Sequence, residues 1–286
     1  MTKTTEAAAG VRPRAAASAG FAVFAYLAFI AVFGYAVMFV AGAGVPRTVD
    51  SGGPDAGTVP AAVIDLLLLA VFAVQHSVMA RPGFKRLWTR LVPQHVERSC
   101  FVLAASAALA LTLWQWRPIP AVVWDVHSAW ARAVLWALFG LGWVLVVAMT
   151  FAIDHLDMVG MRQVRRHLRG EPQAVPSFRL PLPYRLVRHP MMSGFFLALL
   201  ATPVMTAGHL LFAGASCGYI VVAVRLEERD LFADLPEYRD YAAGTPRFFP
   251  RPRRRTAPRG VRAAGRPDQL SEPQPTSTRP AEVSRS

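Results

Sequence analysis

The sequence predicts an all-α fold, a polytopic integral membrane helical bundle of about six transmembrane segments that ends in a helical hairpin. Three observations carry that prediction. Of 286 residues 53 % are hydrophobic and only 17 % are charged, with a mean hydropathy of +0.32, which excludes an ordinary soluble domain of this length. Apolar windows near the ~20 residues needed to cross a bilayer recur along the chain. The loops between them alternate between basic and nearly charge-free.

Gly20–Ala43 opens the series. Lys3, Arg12 and Arg14 precede it and Ala41-Gly42-Ala43 resembles a cleavage site, but its apolar run exceeds the roughly 7–15 residues of a secretory signal, so it is expected to be retained as an anchor. Pro60–Ala80, Cys100–Trp114 and Ala129–Ile153 follow. Met191 to Leu226 is a longer apolar stretch interrupted at Ala207-Gly208-His209, which predicts two short helices joined by a tight turn and six crossings in all. Arg81, Lys85, Arg86, Arg90 and Arg98 lie between segments two and three, and Arg162, Arg165, Arg166, Arg169, Arg179, Arg185 and Arg188 between four and five; the alternate loops hold only Arg47 and Arg117. The positive-inside rule then places both termini in the cytoplasm of a cytoplasmic-membrane protein.

The formal charge of +13 is partly a tail effect, because nine arginines face Asp268, Glu272 and Glu282 in residues 251–286. The expected organisation is an unstructured cytoplasmic stretch at 1–18, a membrane domain at 19–250 and an unstructured basic Pro/Arg-rich tail at 251–286. The tail reads as a solvated or headgroup-binding appendage rather than a nucleic-acid arm. Cys100 and Cys217 both sit in apolar runs, so neither a disulfide framework nor a metal site is expected, and P-loop, GxGxxG, HExxH and EF-hand patterns are absent.

Polar residues concentrate around the hairpin, with Tyr184, Arg188, His189 and Pro190 before it and Glu227, Glu228, Arg229 and Asp230 after it. A hairpin brings these ends together. Arg188-His189-Pro190 reads structurally as a basic anchor with proline at the first helical position. Functionally, the free N–H groups after Pro190, a guanidinium and an imidazole would bind a carboxylate or phosphate, while Glu227 or Glu228 would take an ammonium or a ribose hydroxyl. A zwitterionic nucleoside satisfies both demands. Tyr238, Tyr241 and Arg247-Phe248-Phe249-Pro250 would cover such a pocket or form an interfacial aromatic helix.

Tyr-x4-His-Pro-x3-Gly (Tyr184, His189, Pro190, Gly194), Glu-Glu-x2-Leu (Glu227, Glu228, Leu231), Tyr-x2-Tyr and Arg-Phe-x-Pro, in this order, resemble the isoprenylcysteine carboxyl methyltransferase superfamily. Gln75-His76-Ser77, Asp154-His155-Leu156-Asp157, Gly160-Met161-Arg162-Gln163 and Thr202 to His209 resemble its methanethiol S-methyltransferase branch, close to the NnrU-like proteins. The chain departs from the superfamily's Leu-x3-Phe-Gly-x2-Tyr, having Leu231-x3-Leu235-Pro236-Glu237-Tyr238 instead.

The resemblance implies an integral membrane enzyme that uses S-adenosylmethionine from a cytoplasmic pocket within 160–250, with methanethiol as methyl acceptor and dimethyl sulfide as product. It implies cofactor contacts from Tyr184, His189, Pro190, Met191, Met192 and Glu227 or Glu228, and matches only approximately, at Arg225, the arginine that would approach the substrate. Arg188 is the candidate for the methionine carboxylate and Gln163 for an adenine or ribose contact. His76 or His155 is the candidate for the thiol proton, each with helix packing as its plainer role; Asp154 and Asp157 either orient His155 or pair with Arg162 or Arg165. Other acceptors, such as a lipidic prenylcysteine-like carboxylate, an NADPH-dependent membrane reductase, and a non-enzymatic membrane factor remain alternative readings of the same residues. The expected partners are a small thiol and the lipid bilayer, with no nucleic acid.

Overall fold

A computed structural model of the protein describes residues 2–172 and 182–250, with side chains from residue 16 onward. The expected tail 251–286, and Arg179 in the fourth loop, lie outside the described residues. Among the described residues, five helices are long and apolar enough to cross a membrane. They are α1 (Thr2–Ala41, apolar from Ala16), α2 (Thr58–Ala80), α4 (Gln94–Gln115), α5 (Ala129–Ile153) and α9 (Ala207–Asp234). Helix α1 thus takes in most of the stretch 1–18 read as unstructured from the sequence. Short α3 (Pro82–Trp88), α6 (His155–Met158) and α7 (Met161–Arg169) fill the basic loops, and α10 (Glu237–Gly244) follows α9.

The hairpin departs from its expected form. Its first arm, α8 (Pro190–Leu200), has 11 residues and ends before the sequence break; at 1.5 Å per residue it spans only about 16 Å, half a bilayer. Ala201–Pro203 carries no regular structure, and β2 (Val204–Thr206) then pairs antiparallel with β1 (Val122–Asp125). Val122 lies opposite Thr206 and Asp125 opposite Val204. Thr202-Pro203 explains the break, since Pro203 has no N–H to donate to a continuing helix.

Ala207-Gly208-His209 is the start of α9 rather than the turn. Thr206 caps it by accepting the His209 N–H (3.1 Å) and donates to Asp50 Oδ1 (2.5 Å). The His209 ring donates through Nε2 to Leu199 O (3.2 Å), satisfying a carbonyl in the last turn of α8 that has no intrahelical partner.

The core lies nearer this end of the bundle. Trp116 meets Phe39 and Phe212 edge to face, and its Nε1 donates to the carbonyl of buried Val49 (3.1 Å). Asp65, fully buried in α2, accepts the Arg117 N–H (2.9 Å) where α4 ends, which supplies the partner an intramembrane carboxylate needs. Leu67, Val144 and Phe151 are each more than 60 % exposed, as a lipid-facing surface requires. The basic loops, the ends of α2, α5 and α9 and the start of α8 lie together at the other end.

Candidate active site

At that basic end the start of α8 and the end of α9 meet around one carboxylate. Glu228 is 2 % exposed, and four side chains of its own chain donate to it. Arg188 Nε (2.7 Å), His189 Nε2 (3.0 Å) and the Tyr238 hydroxyl (3.3 Å) reach Oε1, while Arg247 reaches Oε2 through Nε (2.9 Å) and a terminal nitrogen (2.5 Å). Both oxygens are therefore spent on the fold.

The same hub pins the segment after α10. Arg188 donates to Ala242 O (2.8 Å) and Thr245 O (2.6 Å), the Arg188 and His189 backbone N–H groups donate to Pro246 O (2.8 Å) and Arg247 O (3.0 Å), and Ser193 donates to Phe248 O (2.5 Å). Phe248 packs edge-on against Phe196. Residues 242–249 are thereby strapped across the first turns of α8.

Beside the hub lies a cleft of about 200 Å³, partly open to solvent. Tyr184, Arg188, His189, Met191, Met192 and Glu227 line it, as the sequence led one to expect. Tyr238, Tyr241 and Leu231 line it too. Ile153, at the end of α5, is the member that sequence reasoning missed; one apolar residue at the end of an apolar helix carries no signal of its own.

Glu227 is exposed and makes no hydrogen bond or ion pair among the described residues. The adjacent glutamates thus have opposite situations, one saturated beneath the cleft and one free on its wall. The Tyr241 hydroxyl donates to Tyr184 O (2.6 Å). Burial pushes the Tyr184 hydroxyl up to about 12, aided by the nearby Glu227 carboxylate, so it remains a neutral donor at every physiological pH.

The other expected site residues do not line the cleft. Pro190 is buried at the first position of α8. Gln163 lies on α7 and donates to Asp157 O (3.2 Å), and Arg225 is exposed on α9. His155 has both ring nitrogens engaged: Thr150 already donates to Val147 O, so its hydroxyl accepts from His155 Nδ1 (2.9 Å), leaving Nε2 to accept from Tyr26 (2.9 Å). Asp154 pairs with Arg162 rather than with His155. His76 stacks on Phe72 and packs against Phe101, and its buried Nδ1 has no partner.

A many-helix membrane protein with a polar cleft at one end of the bundle is the class that fold and site define. The NnrU protein family profile matches residues 66–245, and the chain belongs to that family. Within it, the chain is 54 % identical to methanethiol S-methyltransferase of Mycobacterium tuberculosis over 81 % of this chain and 95 % of that one. It is 45 % identical to methanethiol S-methyltransferase of Pseudomonas deceptionensis over 87 % and 97 %, and 30 % identical to human Nurim over 72 % and 87 %. No solved structure matches it.

Proposed function

We infer that this chain is an integral membrane methyltransferase that converts methanethiol to dimethyl sulfide, with S-adenosylmethionine as donor bound in the cleft between α8 and α9. Relatives at 42–54 % identity bearing that enzyme's name support the acceptor. The single observation that carries the donor assignment is the cleft wall itself: an unpaired carboxylate faces a guanidinium and a helix start across two methionines and three tyrosines. The donor's carboxylate fits the unused terminal nitrogen of Arg188 and the Met191 and Met192 N–H groups, which have no acceptor within the first turn. Its ammonium or ribose hydroxyls fit Glu227, and its adenine fits the tyrosine faces. When bound, S-adenosylmethionine supplies a methyl group on a positively charged sulfonium.

The protein's own task is to align acceptor sulfur with that methyl and keep water away. Met191, Met192, Leu231 and Ile153 supply apolar walls for this, and the strapped segment 242–249 closes over the start of α8. The thiol must also lose its proton, since an unperturbed thiol with a pKa of roughly 8.5 is largely protonated at neutrality. Of the two histidines expected to take that proton, His155 has both ring nitrogens engaged between α1 and the end of α5, so we assign it to His76, which keeps an unused one although it stands outside the cleft lining. The basic end faces the cytoplasm in this reading, following the positive-inside rule, and draws the donor from there.

Headspace gas chromatography on membranes supplied with methanethiol and S-adenosylmethionine tests the whole. Dimethyl sulfide should form only with both substrates, and Glu227→Ala should raise KM for the donor roughly 10- to 100-fold, the worth of one charged hydrogen bond. Product formation that ignores the donor would overturn the assignment.

The proton role has its own readout. His76→Ala should lower kcat about 100-fold near neutrality and recover as pH rises toward the thiol's own pKa, because hydroxide then does the histidine's work. A pH profile parallel to that of the unsubstituted protein would assign His76 to packing.

A further inference from the structure

A second concavity, of about 220 Å³, opens at the basic end of the bundle between α1 and α7. Ala19 and Ala22 of α1 form one wall, Met161, Val164 and Leu168 of α7 the other, and Leu156 of α6 lies between them. Val164 is the buried floor, while Leu156 and Leu168 are 44 % and 45 % exposed at the rim. Two guanidinium groups complete the lining. Arg165 makes no hydrogen bond or ion pair among the described residues, and Arg162, held to Asp154 by one terminal nitrogen, keeps its Nε buried without an acceptor. A buried donor left unsatisfied costs about 1–3 kcal/mol, and no described residue supplies an acceptor to this one.

We propose that this concavity binds one anionic phospholipid, its phosphate on the exposed Arg165 at the rim and the upper part of an acyl chain against Ala19 and Ala22. Depth agrees with that occupant. The apolar part of α1 begins at Ala16, so the two alanines stand within its first two turns, where headgroups meet hydrocarbon. Farther along α1, Leu27 and Ile30 are 60 % and 45 % exposed and continue the apolar track a chain would follow. Charge selects the headgroup. Helix α7 carries Arg162, Arg165, Arg166 and Arg169 within nine residues and no carboxylate, a surface that favours net-negative lipids over zwitterionic ones. The alanines serve by being small, since a larger side chain on α1 would occupy the space of the chain.

Reconstitution of the full chain in nanodiscs containing equal phosphatidylcholine and phosphatidylglycerol, followed by native mass spectrometry, tests this. Phosphatidylglycerol should be retained in preference to phosphatidylcholine. Arg165→Gln should weaken that retention about fivefold, the effect of one cation near an anionic surface, and Ala19→Phe should abolish it by filling the wall. Arg165 is exposed, so its variant keeps the test valid even if Ala19→Phe folds poorly. Millimolar inorganic phosphate should leave the lipid in place, because it brings no chain. The proposal fails if both lipids are retained in proportion to the bilayer, if both variants retain lipid like the unsubstituted protein, or if inorganic phosphate displaces it.

Discussion

Glu228→Ala should abolish methyl transfer and lower the unfolding midpoint by roughly 10 °C, whereas the neighbouring Glu227→Ala should leave the midpoint unchanged and act only on donor KM. The difference follows from what each carboxylate touches. Removing Glu228 leaves Arg188, Arg247 and His189 turned toward one another without the anion that holds them, and breaking a buried charge pair costs about 3–5 kcal/mol. It also releases the strap, because Arg188 is the residue that holds both Ala242 and Thr245. Glu227 bears no such contacts, so its loss removes a ligand partner and nothing from the fold. Glu228→Gln should be nearly as damaging as alanine: an amide cannot accept at both positions while facing two guanidinium groups. Melting curves and donor titrations on the three variants check this. An unchanged midpoint in Glu228→Ala with a raised donor KM would exchange the roles of the two glutamates.

That exchange of roles is also where the sequence stopped being legible. The motif order around His189 and Glu228 marked most of the residues that line the cleft, and the apolar windows marked the five long helices among the described residues, because both are patterns of residue type along one dimension. Which of two adjacent glutamates faces a ligand depends on a rotation of about 100° around the α9 axis, and an apolar helix with charges at its end does not fix that rotation. Arg247 was visible as part of a motif, yet nothing local says that it reaches 19 residues back to neutralise Glu228. The short arm of the hairpin was hidden for a related reason. Pro203 marks the break in the sequence, but that Val204 to Thr206 then runs as a strand depends on its pairing with β1, about 80 residues away. His155 looked like a chemical group because a histidine at a membrane end is rare; the groups that occupy its nitrogens, Tyr26 and Thr150, come from α1 and from the preceding turn.

Gly194→Ala should reduce kcat about 100-fold in a protein that still folds, because one methyl group there displaces the helix that carries the site. Helices α5 and α8 approach backbone to backbone at Gly142 and Gly194. A Cβ on Gly194 would lie 2.8 Å from Gly142 O and 3.1 Å from Val146 N, and one on Gly142 would lie 2.6 Å from Ala198 N. Neither obstacle is the movable tip of a side chain, so α8 has to shift as a body. The overpacking itself costs about 1–3 kcal/mol, which a domain of this size survives. Chemistry is less tolerant. Pro190, Met191 and Met192 lie within one turn of Gly194, and misplacement by about 1 Å costs on the order of 100-fold in an aligned displacement. Gly140→Ala, also in α5, provides the control: a Cβ there meets nothing within 4 Å, so the change should leave kcat intact and, by removing helix-interior glycine, raise stability by roughly 0.5–1 kcal/mol. Equal activity in the Gly194 and Gly140 variants would show that the start of α8 does not set the geometry of transfer.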